Sequence, residues 1–310
     1  MSILSPTLEA IQLAARVIRD GGVVIIPTET VYGLAGNALN ASAVDQIFSI
    51  KGRPEENPLI VHIAEIDQVH EVASEFPALA RRLAEKYWPG PLTLVLPKKP
   101  EIPMRTSGGL NTIAVRMPRH PVALEVIRQA RCPIAAPSAN AFMGLSPTDA
   151  RHIDPEILVD VEVILDGGPC EIGLESTVVD MTGDVPRILR PGAISRAEIQ
   201  AMAGMPLGHA PPTNVKASPG MYRRHYAPKT PVVLVSELTA NDAGLTFGDP
   251  ANPNQTRMPR DPMAYGATIY AALKQLDSLN LNRICVQEPP DDPAWEAVLD
   301  RLRKASANLA

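Results

Sequence analysis

Two cationic side chains, Lys51 and Arg53, stand one residue apart in a polar stretch of the chain. Pro54 favours an extended backbone in the residue before it, and in an extended chain residues i and i+2 project to the same side. Lys51 and Arg53 would then point together, and two adjacent cations are stable mainly opposite an anion. The alternative is that Lys51 complements the C-terminal dipole of a preceding helix while Arg53 is solvated or pairs with a following glutamate.

Further polar side chains follow apolar runs that predict strands, and a parallel-rich sheet would expose them along one edge, where ligands gather in α/β folds. They are Thr28, Thr30, Ser138, Asn140, Ser176, Thr177 and Arg190. Each is a weak signal by itself. The segment 138–140, for example, is more often a turn whose side chains bond their own backbone.

Arg116 and His62 lie inside apolar runs rather than at their ends. A buried arginine needs a paired anion, so Arg116 is a second candidate for anion binding. His62 is more often a satisfied core histidine than a catalytic one.

Alternating apolar runs and helical periodicity predict an α/β protein with three parts. We expect a first domain over residues 1–205, a basic, proline-rich linker over 206–231 and a small α/β domain over 232–310. In the first domain the first predicted helix starts after an N-cap at Ser5 and ends at Gly21 and Gly22, and further helices are predicted at 42–50, 77–87, 121–130 and 195–203. The predicted strands are 23–27, 59–63, 92–96, 113–118, 133–136, 161–165 and 178–181. In the last domain, strands over 232–235 and 283–286 alternate with helices over 262–276 and 294–307, and residues 245–259 look loop-like.

Composition restricts the class of protein. A net charge of −5 over 310 residues argues against a protein that binds nucleic-acid backbone over most of its surface. Three scattered cysteines suit reduced thiols in a cytosol better than a disulfide framework. Without an export signal or an apolar run near 18 residues, we expect a cytoplasmic protein that does not enter a membrane. No Walker A loop, dinucleotide-binding glycine motif, zinc-type cysteine–histidine cluster or nucleophile elbow occurs in the sequence.

The residues nevertheless form a specific combination. Residues 51–59 (KGRPEENPL) together with 138–140 (SAN) resemble the K-x-R…S-x-N signature of the YrdC-type threonylcarbamoyl-AMP synthase family, in its long two-domain form. Further segments that resemble this family are 27–34, 88–93, 175–178, 190–192 and 218–228. The resemblance implies a large, twisted, open YrdC-like sheet with helices, and a small Rossmann-like C-terminal α/β domain.

The resemblance also implies an enzyme of the nucleotidyltransferase class. Its reaction joins L-threonine, bicarbonate and ATP into threonylcarbamoyl-AMP, with release of pyrophosphate. The product would pass to a tRNA threonylcarbamoyl transferase complex that modifies the adenosine beside the anticodon. The resemblance leaves open whether this protein itself contacts RNA. Mg²⁺ is expected on the ATP phosphates, with no protein-bound cofactor.

Carried over position by position, Lys51 and Arg53 are the implied catalytic residues. The implied ATP site also includes Asn57, Thr112, Ser138, Asn140, Ser146, Arg190 and Tyr226. The implied threonine site consists of Thr30, His62, Arg116, Ala136 and Ser176, with Arg116 taking the substrate carboxylate in a bidentate pair.

Two other functions remain to be tested. One is a carbamoyltransferase in which a YrdC-like domain accompanies a zinc module, which three scattered cysteines argue against. The other is a module that binds double-stranded RNA through a local basic face.

Residues 206–231 contain several basic residues and no acid. They include Lys216, Arg223, Arg224, His225 and Lys229. A tether alone would more often be mixed in charge or rich in glycine and serine. We therefore expect the segment to act as a lid that closes Tyr226 over the nucleotide and excludes water from a labile adenylate. A solvated basic tether is the alternative.

Overall fold

The fold of the chain is that of a computed structural model, which describes residues 2–208 and 222–307. The strands are β1 (Ser2–Leu4), β2 (Val24–Ile26), β3 (Gly33–Asn37), β4 (Ile60–His62), β5 (Leu92–Pro97), β6 (Thr112–Arg116), β7 (Ile134–Ala135), β8 (Val163–Leu165), β9 (Thr177–Asp180), β10 (Arg187–Arg190), β11 (Val232–Val235), β12 (Gly244–Thr246), β13 (Gln255–Arg257) and β14 (Ile284–Gln287). The α-helices are α1 (Leu8–Arg19), α2 (Ala41–Lys51), α3 (Val69–Val72), α4 (Ala78–Tyr87), α5 (Pro121–Ala130), α6 (Pro155–Leu158), α7 (Arg196–Ala203), α8 (Pro262–Asp277) and α9 (Glu296–Ser306), with short 3-10 turns at Ile66–Gln68, Ala150–His152 and Pro293–Trp295.

The first ten strands form one sheet in the order β1-β8-β2-β3-β7-β4-β6-β5-β9-β10. The α/β fold with a large open sheet is confirmed, but the expected parallel-rich arrangement is wrong. Among the described strands of this sheet, β3 pairs antiparallel with both β2 and β7, and β4–β7, β5–β6 and β9–β10 are antiparallel as well. The parallel pairs are β1–β8, β2–β8, β4–β6 and β5–β9.

Helices cover the sheet because their apolar stripes match its buried strands. Helix α1 begins at Thr7, whose side chain accepts a hydrogen bond from Ala10 N, and it packs against α5 and β8. Helix α5 begins with proline at its first turn and spans the predicted residues 121–130. Strands β2, β4 and β8 are buried along their whole length, which explains their continuous apolar sequences.

Two strands beside the site were not predicted. One is β10, which ends at Arg190. The other is β3, where Gly33 pairs with Ile26 of β2. The sequence GLAGN contains no β-branched or aromatic residue, so its strand propensity is low and pairing with two neighbours decides its conformation.

The C-terminal residues form a separate small sheet of four parallel strands in the order β11-β14-β12-β13. The expected small α/β domain is confirmed. The prediction of a loop over 245–259 is wrong, since this stretch contains most of β12 and all of β13. Both are three-residue strands whose polar composition carries no alternating pattern.

The core of the small domain continues into the large one. Its cluster of buried apolar residues includes Ile269, Leu273 and Leu302 from the small domain together with Val31 and Leu174 from the large one. Two domains that share an apolar core are held together more firmly than domains joined through a polar contact.

Part of the predicted linker, residues 209–221 with Lys216, lies outside the described residues, as do the first four residues of the segment 218–228. The prediction that residues 206–231 act as a lid stays a prediction. Among the residues that the structure does describe, no helix is both long and apolar enough to cross a lipid bilayer.

The contact between domains can be tested at Gly173, where φ is +71° and an added Cβ would lie 2.6 Å from Ala267 Cα in α8. Gly168 is a matched control, because its φ is +79° and nothing lies within 4 Å of an added Cβ. Either alanine costs about 1–2 kcal/mol for the left-handed backbone. We expect Gly173→Ala to lower the free energy of unfolding by at least about 1 kcal/mol more than Gly168→Ala does. The extra loss comes from overpacking the close contact with α8. Urea unfolding measures both, and equal losses would contradict this domain contact.

Candidate functional site

Most of the predicted site residues surround one small cavity at the edge of the large sheet, beside the small domain. Its lining consists of Thr28, Thr30, Val31, Gly33, Arg53, Ile60, His62, Arg116, Ala136, Pro137, Ser138, Glu175, Ser176, Arg190, His225 and Tyr226. The cavity measures about 50 Å³. Ligand pockets usually measure about 300–1,000 Å³, so side chains around it must move to admit a nucleotide.

Lys51 is the last residue of α2. The extended backbone that the sequence had suggested for this segment is therefore wrong at Lys51. Gly52 follows in the left-handed conformation at φ +58° and ends the helix. The Lys51 ammonium is buried and donates to the carbonyl oxygens of Ser138 and Asn140. Lys51 thereby joins the end of α2 to the segment 138–140, the two parts of the sequence signature. Burial, and then the charge of Arg53, lower the pKa of Lys51 well below its ordinary value.

Arg53 is buried as well and lines the cavity. Its Nε donates to Asn57 O at 3.1 Å and its Nη2 to Pro58 O at 2.8 Å. Burial lowers its pKa to about 10. Within residues 2–208 and 222–307, no carboxylate lies within 4.0 Å of the charged nitrogens of Lys51 or Arg53. Two buried cations that contact only carbonyl oxygens favour an anionic ligand.

Arg116, at the end of β6, has an internal anion. Its Nη2 lies 2.7 Å from Glu29 Oε1, and the two side chains are only 4% and 3% exposed. Its Nη1 donates to Thr30 Oγ1 at 2.9 Å. The sequence correctly required an anion at Arg116 but did not identify Glu29, whose position directly before Thr30 was the available signal. Glu29 fixes the orientation of the guanidinium within the cavity wall.

Ser176 connects two neighbouring elements of the site. Its hydroxyl lies 2.7 Å from Thr93 Oγ1 and accepts a hydrogen bond from Arg190 Nη2 at 3.0 Å. Arg190 Nε also donates to the backbone oxygen of Ser176 at 3.1 Å. Because β5 and β9 pair in parallel and β10 follows β9, the sheet brings these three side chains to one point.

Two buried histidines face the cavity, His62 from β4 and His225 from the segment before the small domain. Burial lowers the pKa of each to about 3, with Arg116 adding to the effect at His62. Both imidazoles are therefore neutral at physiological pH and can bind a ligand through hydrogen bonds without adding charge.

Several buried polar atoms around the site have no hydrogen-bond partner within the described part of the chain. They include both polar atoms of the Asn57 amide, Oδ1 of Asn140, Nδ1 of His62 and the hydroxyl of Tyr226. An unsatisfied buried polar group costs about 1–3 kcal/mol, so such a group near a cavity is most simply explained by a ligand that satisfies it.

The structure brings most of the predicted residues together and leaves some apart. Thr30, Arg53, His62, Arg116, Ala136, Ser138, Ser176, Arg190 and Tyr226 line the cavity, whereas Lys51, Asn57, Thr112, Asn140 and Ser146 do not. Ser146 instead donates to Glu175 Oε1 at 2.6 Å, and Thr112 pairs with Pro97 at the start of β6. The sequence did not assign a role to Glu175, although it directly precedes Ser176.

No group of three or more histidine, cysteine, aspartate or glutamate side chains among the described residues could hold a metal ion. The charged groups at the cavity are mainly cationic, which suits phosphate or carboxylate rather than a bare divalent ion.

Comparison with known proteins identifies the family. The family model described as telomere recombination (Sua5, YciO and YrdC) matches residues 16–192, and the model described as the C-terminal domain of threonylcarbamoyl-AMP synthase matches residues 194–307. The chain is 40% identical to a threonylcarbamoyl-AMP synthase of Pyrococcus abyssi, over 96% of this chain and 94% of that protein. It is 39% identical to a protein of the same name from Bacillus subtilis, over 98% and 94% of the two chains.

Among solved structures, the crystal structure of P. abyssi Sua5 complexed with L-threonine matches with a TM-score of 0.90 and 39% identity. The match covers 96% of this chain and 94% of that one, so both domains and their arrangement correspond. The chain therefore belongs to the Sua5–YciO–YrdC family and carries the C-terminal domain of threonylcarbamoyl-AMP synthases.

Proposed function

We propose that this protein is a threonylcarbamoyl-AMP synthase of the nucleotidyltransferase class. It joins L-threonine, bicarbonate and ATP into threonylcarbamoyl-AMP, pyrophosphate and water. The observation that carries this proposal is the burial of Lys51 and Arg53 against backbone carbonyls, close to a cavity that Arg116 and Arg190 also line. A site with this excess of cationic groups suits a triphosphate together with an amino-acid carboxylate.

The reaction divides into two steps that balance. The threonine amine adds to bicarbonate and loses water, which leaves an N-carboxylate on threonine. An oxygen of this carbamate then attacks the α-phosphorus of ATP, the α–β bridging bond breaks, and pyrophosphate leaves. Such a displacement needs positioning and charge stabilisation more than covalent help from the protein.

Each set of residues has a separate part in these steps. Lys51 and Arg53 neutralise charge on the phosphates as pyrophosphate departs. Arg116, oriented by Glu29, binds the carboxylate of threonine. Thr30, Ala136, Ser176 and neutral His62 surround the rest of the amino acid. The remaining ATP contacts come from Asn57, Thr112, Ser138, Asn140, Ser146, Arg190 and Tyr226. Mg²⁺ arrives with ATP as part of the substrate.

The product is a reactive mixed anhydride, which suits rapid transfer to another molecule. We propose that a tRNA threonylcarbamoyl transferase complex receives it in the cytoplasm for modification of the adenosine beside the anticodon. We propose that His225 and Tyr226, which line the cavity, help to exclude water from the anhydride.

The direct test is pyrophosphate release and adenylate formation from MgATP and labelled bicarbonate, with each amino acid in turn. We expect a product that depends on threonine and contains the label. A module that only binds double-stranded RNA would bind an RNA duplex and form no adenylate, and this result would overturn the proposal.

Lys51→Ala and Arg53→Ala should each reduce adenylate formation about 100-fold or more. Loss of one charge-assisted contact to a developing phosphate charge costs about 3 kcal/mol. Arg82→Ala, which removes an exposed arginine on α4, is the control and should retain full activity. Circular dichroism and thermal melting establish that the variants are folded. Wild-type turnover in a folded Arg53→Ala variant would rule out its assigned role.

Amino-acid selectivity should follow from the hydroxyl groups around the threonine site. We expect serine to be a poorer substrate than threonine and valine to be poorer still. A site built to bond a hydroxyl leaves its own polar groups unpaired when that hydroxyl is missing. Comparison of kcat/KM for the three amino acids tests this, and equal values for valine and threonine would show that the pocket recognises shape alone.

The buried histidines should make stability depend on pH. His62 and His225 have folded-state pKa values of about 3 against an ordinary 6.5, so the unfolded chain binds more protons between these values. The contribution to stability is complete above pH 6.5 and falls as pH decreases through this window, by up to about 1.4 kcal/mol per pH unit for each histidine. Urea unfolding at pH 7.5 and 5.5 measures the loss. The loss of stability between these two pH values should be smaller in a His62→Gln, His225→Gln double variant. An identical loss in that variant would show that the two histidines do not cause the pH dependence.

A further inference from the structure

Glu175 is a buried carboxylate that accepts hydrogen bonds from side chains of both domains. From the large domain, Ser146 Oγ donates to its Oε1 at 2.6 Å. From the small domain, Tyr270 OH donates to Oε2 at 3.0 Å and Arg301 Nε donates to the same oxygen at 2.9 Å. The Arg301 side chain is 1% exposed and that of Glu175 is 7% exposed. The ion pair between them is therefore shielded from water, so the attraction between the two charges is stronger than in a surface pair, and removing one partner leaves an uncompensated buried charge.

Arg301 also contacts Tyr226, one of the residues that line the cavity. Its guanidinium lies 4.9 Å from the centre of the Tyr226 ring, and on α8 the Tyr270 ring stacks on Tyr226 at 6.0 Å and 25°. The backbone of Tyr226 is left-handed at φ +56°, a strained conformation that surrounding contacts must maintain. His225 N donates to Lys304 O at 3.3 Å, which adds a backbone connection to α9.

The charge of Glu175 matters because of its place beside the substrates. It lines the cavity beside its neighbour in sequence Ser176, and Arg53 and Arg190 line the same cavity. Although burial raises its pKa, Arg301 and then Arg190 lower the value to about 2, so the group is a carboxylate at neutral pH. Without a counter-charge, a buried carboxylate at this position would repel the phosphates of a nucleotide.

We propose that Arg301 is a positioning residue of the nucleotide site, which neutralises Glu175 so that this carboxylate does not repel nucleotide phosphates. The small domain is then part of the ATP-binding site, although the described cavity lining contains no residue from its sheet or helices. This inference rests on the proposed function, since it assumes that a nucleotide occupies the cavity.

Arg301 could simply hold the two domains together, or it could position the nucleotide site by neutralising Glu175. The two roles predict different results for nucleotide binding. If Arg301 only joined the domains, its loss would lower stability, and removing Glu175 as well would not restore nucleotide binding. If Arg301 neutralises Glu175, removing both charges together should recover much of the affinity, because no uncompensated carboxylate then remains. Arg303 is the matched control, since it lies on the same helix with its side chain 58% exposed.

The experiment is equilibrium binding of MgATP to the full-length protein and its variants, with thermal melting to establish folding. We expect Arg301→Gln to weaken MgATP binding at least about 10-fold and Arg303→Gln to leave it within about 2-fold. The double variant Glu175→Gln, Arg301→Gln should bind within about 3-fold of wild type. In steady-state assays, Arg301→Gln should raise KM for ATP more than KM for threonine.

The inference fails if folded Arg301→Gln binds MgATP like wild type, or if the folded double variant binds no better than Arg301→Gln. If Arg301→Gln does not fold, the double variant decides the matter, because it leaves no unpaired buried charge. Its failure to bind while folded would overturn the proposal. A wild-type protein that neither binds MgATP nor forms an adenylate would instead overturn the proposed function, so the two failures are distinguishable.

Discussion

The site depends on keeping several cationic side chains out of water. Lys51, Arg53, Arg116 and Arg190 are all buried at one edge of the large sheet. Burying a charge is costly unless polar partners replace water, and here the partners are backbone carbonyls, hydroxyl groups and the carboxylate of Glu29. The sheet, the end of α2 and the segment 138–140 provide these partners at fixed positions. A pocket with this excess of positive charge suits anionic ligands.

Much of the site could be predicted because its residues follow apolar runs and belong to a recognisable combination. Thr30 and Ser176 were expected near strand ends and Arg116 within an apolar run, and the structure places all three around one cavity. The projection of Lys51 and Arg53 was inferred from an extended backbone, whereas Lys51 ends a helix and Gly52 turns the chain. Both cations are close to the site, although by a different local geometry.

The rest could not be predicted, since it depends on contacts between distant parts of the chain. Arg301 belongs to a helix that also carries Glu296, Asp300 and Lys304, and such a pattern is typical of a solvated surface. Its burial results from packing against Glu175 and Tyr226 in the folded protein. Strand β3 was missed for a similar reason, because its pairing with β2 and β7 outweighs its weak intrinsic propensity.

The order of strands in the large sheet also affects how the protein folds. Strand β1 pairs with β8, which joins Ser2 to Val163, and β5 pairs with β9, which joins Leu92 to Thr177. Chains dominated by contacts between residues far apart in sequence fold slowly, because a long loop must close before the pairing stabilises it. Glu175 and Ser176, which line the cavity, lie directly before β9, so part of the cavity wall depends on such a long-range pairing. A chain that has not yet formed this pairing would have an incomplete cavity and would expose apolar strand edges.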